Sequence, residues 1–149
     1  MNYSQAFLYS LDKVLHDGQE VSPRGQLTKE ILSHTISVNA LESLYVSPIR
    51  KLNFCFLFAE NMWYMSGRNA LSLLTPYNKN YASFANDGIL QGSYGPMILE
   101  QIRYVVDALK EDGDSRQAVI SLWRPNPRTA KDKPCTLTFH FMIRDGKIS

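Results

Sequence analysis

The chain has 149 residues, of which 44% are hydrophobic, 11% aromatic and 20% charged, with a net charge of +2. This is the length and composition of one globular domain, expected to run over residues 1–149, and it excludes a disordered, collagenous or disulfide-stapled chain. So small a charge excludes the basic footprint of a nucleic-acid polymer partner but leaves room for a small anion held by two or three arginines.

The N-terminal stretch MNYSQAFLYSLDKVLHDG carries charges throughout and has no basic segment followed by an apolar one, so it does not read as a signal peptide. No apolar run reaches membrane-spanning length. Cys55 and Cys135 lack paired spacing, and His16, His34 and His140 lack metal-ligand spacing. These features predict a reducing, cytoplasmic location, with no membrane and no metal.

In SQAFLYSLDKVLHDG, Phe7, Leu8, Leu11, Val14 and Leu15 share one helical face, and Gly18 ends the helix. VSPRGQ, residues 21–26, reads as a loop. Leu32, His34, Ile36, Val38 and Ala40 then alternate with Ser33, Thr35, Ser37 and Asn39, the pattern of a half-buried strand. His34 on its less polar side reads as a structural histidine.

Ser47-Pro48 is a cap-and-first-turn pair that predicts a helix through IRKLNFCFLFAENMWYMSG to Gly67. Its middle is apolar nearly all round, which predicts a central buried helix with Cys55 as an inert core residue. Residues 68–93, rich in Asn, Ser, Tyr and Gly, read as an irregular working region. GPMILEQIRYVVDALKEDG places Ile98, Ile102, Val105, Val106 and Leu109 on one face of a helix that stops at Gly113.

RQAVISLW and CTLTFHFMI read as strands. In the second, Cys135, Leu137, Phe139, Phe141 and Ile143 oppose Thr136, Thr138, His140 and Met142. Asp145-Gly146 is a hairpin turn. The predicted class is α+β, a sheet with helices packed on it.

Three features point to chemistry. Glu60 lies inside an apolar helix, where burial raises a carboxyl group's pKa and suits it to hold water and pass protons; a structural hydrogen bond to a neighbour is the plainer reading. Cys135 follows a charged, proline-containing loop, with Arg116, Arg124, Arg128, Lys131 and Lys133 within twenty residues, and nearby cations favour the thiolate. A small core thiol is the alternative, and no histidine motif supports a catalytic triad.

The third feature is a pair of arginines. Arg24 in its Pro/Gly loop and Arg116 before a strand stand at element boundaries, where bidentate phosphate binding and plain solvation are both open. Tyr94 in QGSYGP has glycines close on either side, which serves close approach of a ligand or ordinary turn packing.

Taken in order, SPRG, AENMWYMSG, GSYGP, DSRQAVISLW and KDKPCTLTFHFMIRDGKIS resemble the thymidylate synthase family's motifs. They correspond to its phosphate loop, Glu-x-x-Trp-Phe-x-x-Gly helix, tyrosine-glycine segment, arginine-bearing strand and nucleophile strand. The resemblance runs from about Val21 to Ser149.

It implies that Cys135 adds to C6 of a pyrimidine deoxynucleoside monophosphate and that C5 then attacks the one-carbon unit of 5,10-methylenetetrahydrofolate. Glu60 would organise water and protons, and Tyr94 would assist loss of the C5 proton. Arg24 would bind the phosphate, and Arg116 would do so across a dimer. Trp63 reads as packing.

The chain departs from the family pattern at several positions. Gln117 stands at a second arginine's place, Thr136 at a histidine's and Arg124 at an asparagine's. The loop LTPYNKNYASFANDGIL lacks the tryptophans that often flank the folate.

Family members continue past DGK into strands that read the base and the sugar. With only Lys147, Ile148 and Ser149 after the turn, the strand ending at Ile143 is expected to keep an unpaired edge. The expectation is therefore a thymidylate synthase-like fold whose C-terminal strands are missing or supplied by another chain, in a homodimer or hetero-oligomer, and inactive alone. Conversion of dUMP to dTMP is the leading activity. The alternatives are a dUMP or dCMP 5-hydroxymethylase and a non-catalytic subunit that keeps the scaffold.

Overall fold

The computed structural model describes residues 1–42, 51–124 and 131–149. They gather into two compact units, Met1–Lys51 and Leu52–Ser149, each described here by itself.

In the first unit, α1 (Tyr3–Asp17) starts where predicted. The Asn2 side chain accepts from the Gln5 backbone N–H at 2.9 Å, and the Gln5 side chain accepts from the Asn2 N–H at 3.0 Å, a reciprocal cap on two otherwise orphaned donors. At the other end, Lys29 Nζ donates to the Leu15 carbonyl at 2.9 Å, satisfying a last-turn acceptor.

Strands β1 (Gln19–Val21) and β2 (Thr28–Glu30) pair antiparallel around a 3₁₀ turn at Pro23–Gly25, the predicted loop. The strand expected over residues 32–40 does not form. Past β2 the backbone is irregular, and Leu32 (75% exposed), Ile36 and Val38 are exposed. Alternation needs a partner strand to become a ladder, and β2 spends its pairing on β1. His34 is structural as expected: Ser10 Oγ lies 3.1 Å from its Nε2, and the Tyr9 ring lies 5.8 Å away.

The second unit holds α2 (Phe54–Met65) and α3 (Tyr94–Glu111). The Ser47-Pro48 pair lies outside the described residues. Helix α2 is instead capped by Asn53, whose side chain accepts from the Phe56 N–H at 3.1 Å. The expectation of an all-round buried helix is corrected. Of its residues only Trp63 is buried, while Cys55, Phe54, Phe58, Met62 and Met65 are exposed. A uniformly apolar helix need not be buried all round; neighbours cover one side of this one.

Residues 68–93 are irregular as expected, with 3₁₀ turns at Leu71–Leu73 and Lys79–Phe84, yet they pack. Leu74, Ala85 and Leu90 form a core cluster with Trp63. A second cluster joins Met97 and Val105 of α3 to Ala118, Ile120 and Leu122, with Phe139 and Phe141 against it. Burying each such aliphatic side chain contributes about 1.5–3 kcal/mol.

Strands β3 (Val119–Ser121) and β4 (Thr138–His140) pair antiparallel, with Ile120 opposite Phe139. The other edge of β3 is held by α3. Gln101 Nε2 donates to the Ser121 carbonyl, and its Oε1 accepts from the Ser121 N–H, each at 2.9 Å. β4 is shorter than predicted: Cys135 sits in a bend before it, and Leu137 is exposed rather than inward.

The hairpin is as expected. β5 (Ile143–Arg144) pairs with β6 (Lys147–Ile148), and Asp145 and Gly146 both take left-handed φ values of 51° and 69°. Its return arm pairs Ile143 with Ile148 and bonds Met142 with Ser149 in both directions, which closes the edge over residues 142–144; among the described residues β4 pairs with β3 alone. Among the described residues, helices and three two-stranded antiparallel sheets make the class α+β.

Candidate active site

Glu60 stands at the end of the second turn of α2, half-buried. Tyr64 lies four residues on, on the same helical face, and its hydroxyl donates to Glu60 Oε1 at 3.2 Å. Tyr81, from the Lys79–Phe84 turn, donates to the same oxygen. Burial above all, then the charge on Glu60, pushes the Tyr64 phenol well above the ordinary tyrosine range. Burial, then the hydrogen bond to Glu60, does the same for Tyr81. Both phenols therefore remain proton-bearing donors at neutral pH.

Tyr94 opens α3 and stacks on Tyr64, with ring centroids 5.1 Å apart and planes 13° from parallel. Its hydroxyl accepts from the backbone N–H of Thr136 at 3.1 Å, next to Cys135. The glycines around it have definite jobs. A Cβ on Gly95 would lie 2.9 Å from the Tyr64 carbonyl and 3.2 Å from that of Arg68, so only glycine lets α3 start against the end of α2. A Cβ on Gly92 would lie 2.7 Å from Asp132 Oδ2.

Cys135 is exposed and follows buried Pro134. It lines a cavity of about 140 Å³ together with Trp63, Tyr64, Tyr81, Tyr94 and Asp132. The core-thiol alternative is thereby set aside for Cys135; for Cys55, also exposed, the expectation of a core position is corrected. Burial raises the Asp132 carboxyl above its usual range, against the opposing pull of the Gly92 N–H. Lys133 also lines the cavity and is the cation of the predicted cluster found there; Arg128 lies outside the described residues.

Glu60, Tyr94 and Cys135 thus join one connected set of contacts, running from Glu60 to Tyr64, to Tyr94, to Thr136. Arg116 is placed elsewhere. It is exposed beyond the far end of α3, a helix of about 27 Å, and lines a cleft of about 690 Å³ with Asp107, Glu111, Asp112 and Asp114. Arg24 belongs to the first unit, on the β1–β2 turn, with φ 53°. A non-glycine residue held left-handed is uncommon and marks a loop whose shape is imposed by its surroundings.

The cavity's aromatic walls suit a flat heterocycle, and the buried Trp63 Nε1 has no hydrogen-bond partner among the described residues. Sites that enclose a small ligand measure about 300–1,000 Å³. The described residues therefore supply room for one ring beside Cys135 and do not by themselves enclose a nucleotide together with a folate. Among them no group of His, Cys, Asp and Glu is placed to hold a metal ion, and no helix is long and apolar enough to cross a membrane.

Tyr64, Tyr81 and Asp132 were not singled out in the sequence. The four-residue spacing of Glu60 and Tyr64 is a readable signal. Tyr81 reaches Glu60 across 21 residues of irregular chain, and no local pattern announces that contact.

Comparison with known proteins adds family and relatives. The thymidylate synthase family matches residues 5–149. A deoxyuridylate hydroxymethyltransferase of Bacillus phage SP01 is 32% identical over 167 residues, covering 97% of this chain and 43% of that protein. One from Pseudomonas phage M6 is 29% identical, covering 76% of this chain and 35% of that protein. A putative thymidylate synthase of Methanothermobacter thermautotrophicus is 26% identical, covering 93% and 64%. The chain thus spans less than half the length of the two phage relatives. With a match over residues 5–149, the chain belongs to the thymidylate synthase family.

Proposed function

We propose that this chain carries the nucleophile and proton-handling residues of a one-carbon transfer to C5 of a pyrimidine deoxynucleoside monophosphate, with dUMP to dTMP as the leading reaction. The observation that carries the reading is the exposed Cys135 on a cavity walled by Tyr94 and Tyr64, with Glu60 hydrogen-bonded behind them.

The Cys135 thiolate adds to C6 of the pyrimidine, and C5 gains the electron pair of the former double bond. Nucleophilic catalysis of this kind divides a difficult carbon–carbon bond formation into easier steps. 5,10-Methylenetetrahydrofolate would supply the one-carbon unit and, for the methyl product, the hydride that reduces it, leaving as dihydrofolate. The Tyr94 hydroxyl assists departure of the C5 proton through water, Glu60 holds the proton and water network at the base, and Cys135 then leaves C6. Arg24 anchors the phosphate. Arg116, remote from Cys135 along the second unit, serves the phosphate of a partner subunit. The protein is cytoplasmic and oligomeric, and the base- and sugar-reading strands come from beyond these residues, in the same or a second chain.

The two phage relatives favour a second reading, in which water instead of reducing equivalents meets the C5 methylene and 5-hydroxymethyl product forms. In the full-length protein, 5-fluoro-dUMP with the folate should give a covalent adduct on Cys135, seen by peptide mass spectrometry and lost in Cys135→Ser. Tritium release from 5-labelled dUMP and chromatography of the product then separate methyl from hydroxymethyl. No adduct and no tritium release would leave the non-catalytic scaffold as the surviving reading.

A further inference from the structure

The mechanism above uses Glu60 but not the two hydroxyls that hold it. Both converge on one oxygen, Oε1, from different parts of the chain: Tyr64 from the same helix and Tyr81 from the Lys79–Phe84 turn. Tyr64 directly follows the buried Trp63 on α2. It is a ring with a polar tip, half-buried, and the tip meets a carboxylate. The ring carries the stack on Tyr94, whose own hydroxyl holds the backbone beside Cys135.

We propose that Tyr64 and Tyr81 are positioning residues of this one-carbon transfer. Together they clamp Glu60 Oε1 and, through the Tyr64–Tyr94 stack, tie the carboxylate's position to that of the thiol. The inference rests on the functional reading above.

Two donated hydrogen bonds stabilise a carboxylate and restrict its rotation. A carboxylate that must take and return a proton at a fixed place loses efficiency when it swings free, because misplacement by about 1 Å costs on the order of a hundredfold in rate. Packing alone would need only the rings, which phenylalanine supplies. The hydroxyls are what the clamp adds.

The test uses Tyr64→Phe, Tyr81→Phe and the double variant in the full-length protein, each keeping its ring. For 5-tritium release from dUMP, each single change should lower kcat about tenfold, and the pair more, with KM for the nucleotide unchanged. Independently, ultraviolet titration of the phenols at alkaline pH should show two of the eight tyrosines ionising late. In Glu60→Gln both should move back toward the others, because the opposing charge is gone.

Parent-like kcat in the double variant overturns the inference while leaving the function standing. A kcat loss matched by an equal loss of folded protein overturns it too, since that is the mark of a packing role. A parent protein without tritium release sinks the functional reading itself. An unmoved phenol titration in Glu60→Gln removes the clamp whatever the activity.

Discussion

The Tyr94 hydroxyl accepts a hydrogen bond from the backbone N–H of Thr136 at 3.1 Å, and so fixes the chain one residue after Cys135. The bond has two consequences that one substitution separates. Tyr94→Phe keeps the stack on Tyr64 but leaves the Thr136 N–H, half-buried, without its acceptor. An unpaired buried donor costs about 1–3 kcal/mol, and partial exposure puts this one at the low end. Thermal unfolding should therefore fall by only a few degrees. The rate of tritium release from 5-labelled dUMP should fall far more, by about a hundredfold, as expected for loss of a positioned proton-handling group. Equal losses in both would mean that Tyr94 only braces the backbone.

Gly95→Ala tests the close approach of α2 and α3. The three atoms nearest the new methyl are all backbone: the carbonyls of Tyr64 and Arg68 and the Cα of Gly67, between 2.9 and 3.2 Å away. None can rotate aside, so the start of α3 must shift, at a cost of about 1–3 kcal/mol. Denaturant unfolding should show that loss, accompanied by weaker reactivity at Cys135 because Tyr94 moves with Gly95. A neutral Gly95→Ala would mean that the helices are not locked together there.

What was legible in the sequence follows from what is local. Helices α1 and α3 were readable because their apolar faces and stop signals lie within a few turns: Phe7, Leu11 and Val14 before Gly18, and Ile98, Ile102 and Val105 before Gly113. The hairpin at Asp145-Gly146 was readable because two successive left-handed residues define the turn. Residues 32–40 misled because alternation records a face and says nothing about a partner strand. Helix α2 misled because composition measures how apolar a segment is, and burial depends on what packs against it. Glu60, Tyr94 and Cys135 were identified singly from the sequence, by their immediate surroundings and then by motif resemblance. Their connection runs through the Tyr64–Tyr94 ring contact and the bond from the Thr136 N–H to Tyr94, which span 30 and 42 residues and leave no local trace.

Stability should fall at alkaline pH in a way that depends on Glu60. The folded-state values for Tyr64 and Tyr81 lie above the ordinary phenol value of 10.0, by burial first and the Glu60 carboxylate after it. Between that value and the raised one, the unfolded chain has released protons that the folded chain still holds, so unfolding gains as pH rises. The contribution is complete below about pH 10 and drains away above it. Melting temperature should thus be level from pH 8 to about pH 10 and then drop. In Glu60→Gln the drop should be shallower but not abolished, since burial remains. An identical slope in the two proteins would remove Glu60 as a cause.

Helix α2 offers the sharpest contrast within one element. Trp63 is 3% exposed and packs with Leu74, Ala85 and Leu90, whereas Phe58, five residues earlier, is 70% exposed. Trp63→Ala removes a large ring from a closed cluster and should cost about 3–5 kcal/mol. Phe58→Ala exchanges one solvated side chain for a smaller one and should stay within about 0.5 kcal/mol. Phe54, Phe58, Met62 and Met65 lie at helical spacing and are all exposed, so Phe58→Ala should also weaken binding of a dye that brightens on apolar surfaces. Both quantities come from the same purified variants, by urea unfolding and by dye fluorescence. A loss above about 2 kcal/mol for Phe58→Ala would place that ring in a core. The all-round burial that the apolar sequence of α2 first implied would then hold, and the one-sided packing described for it would be wrong.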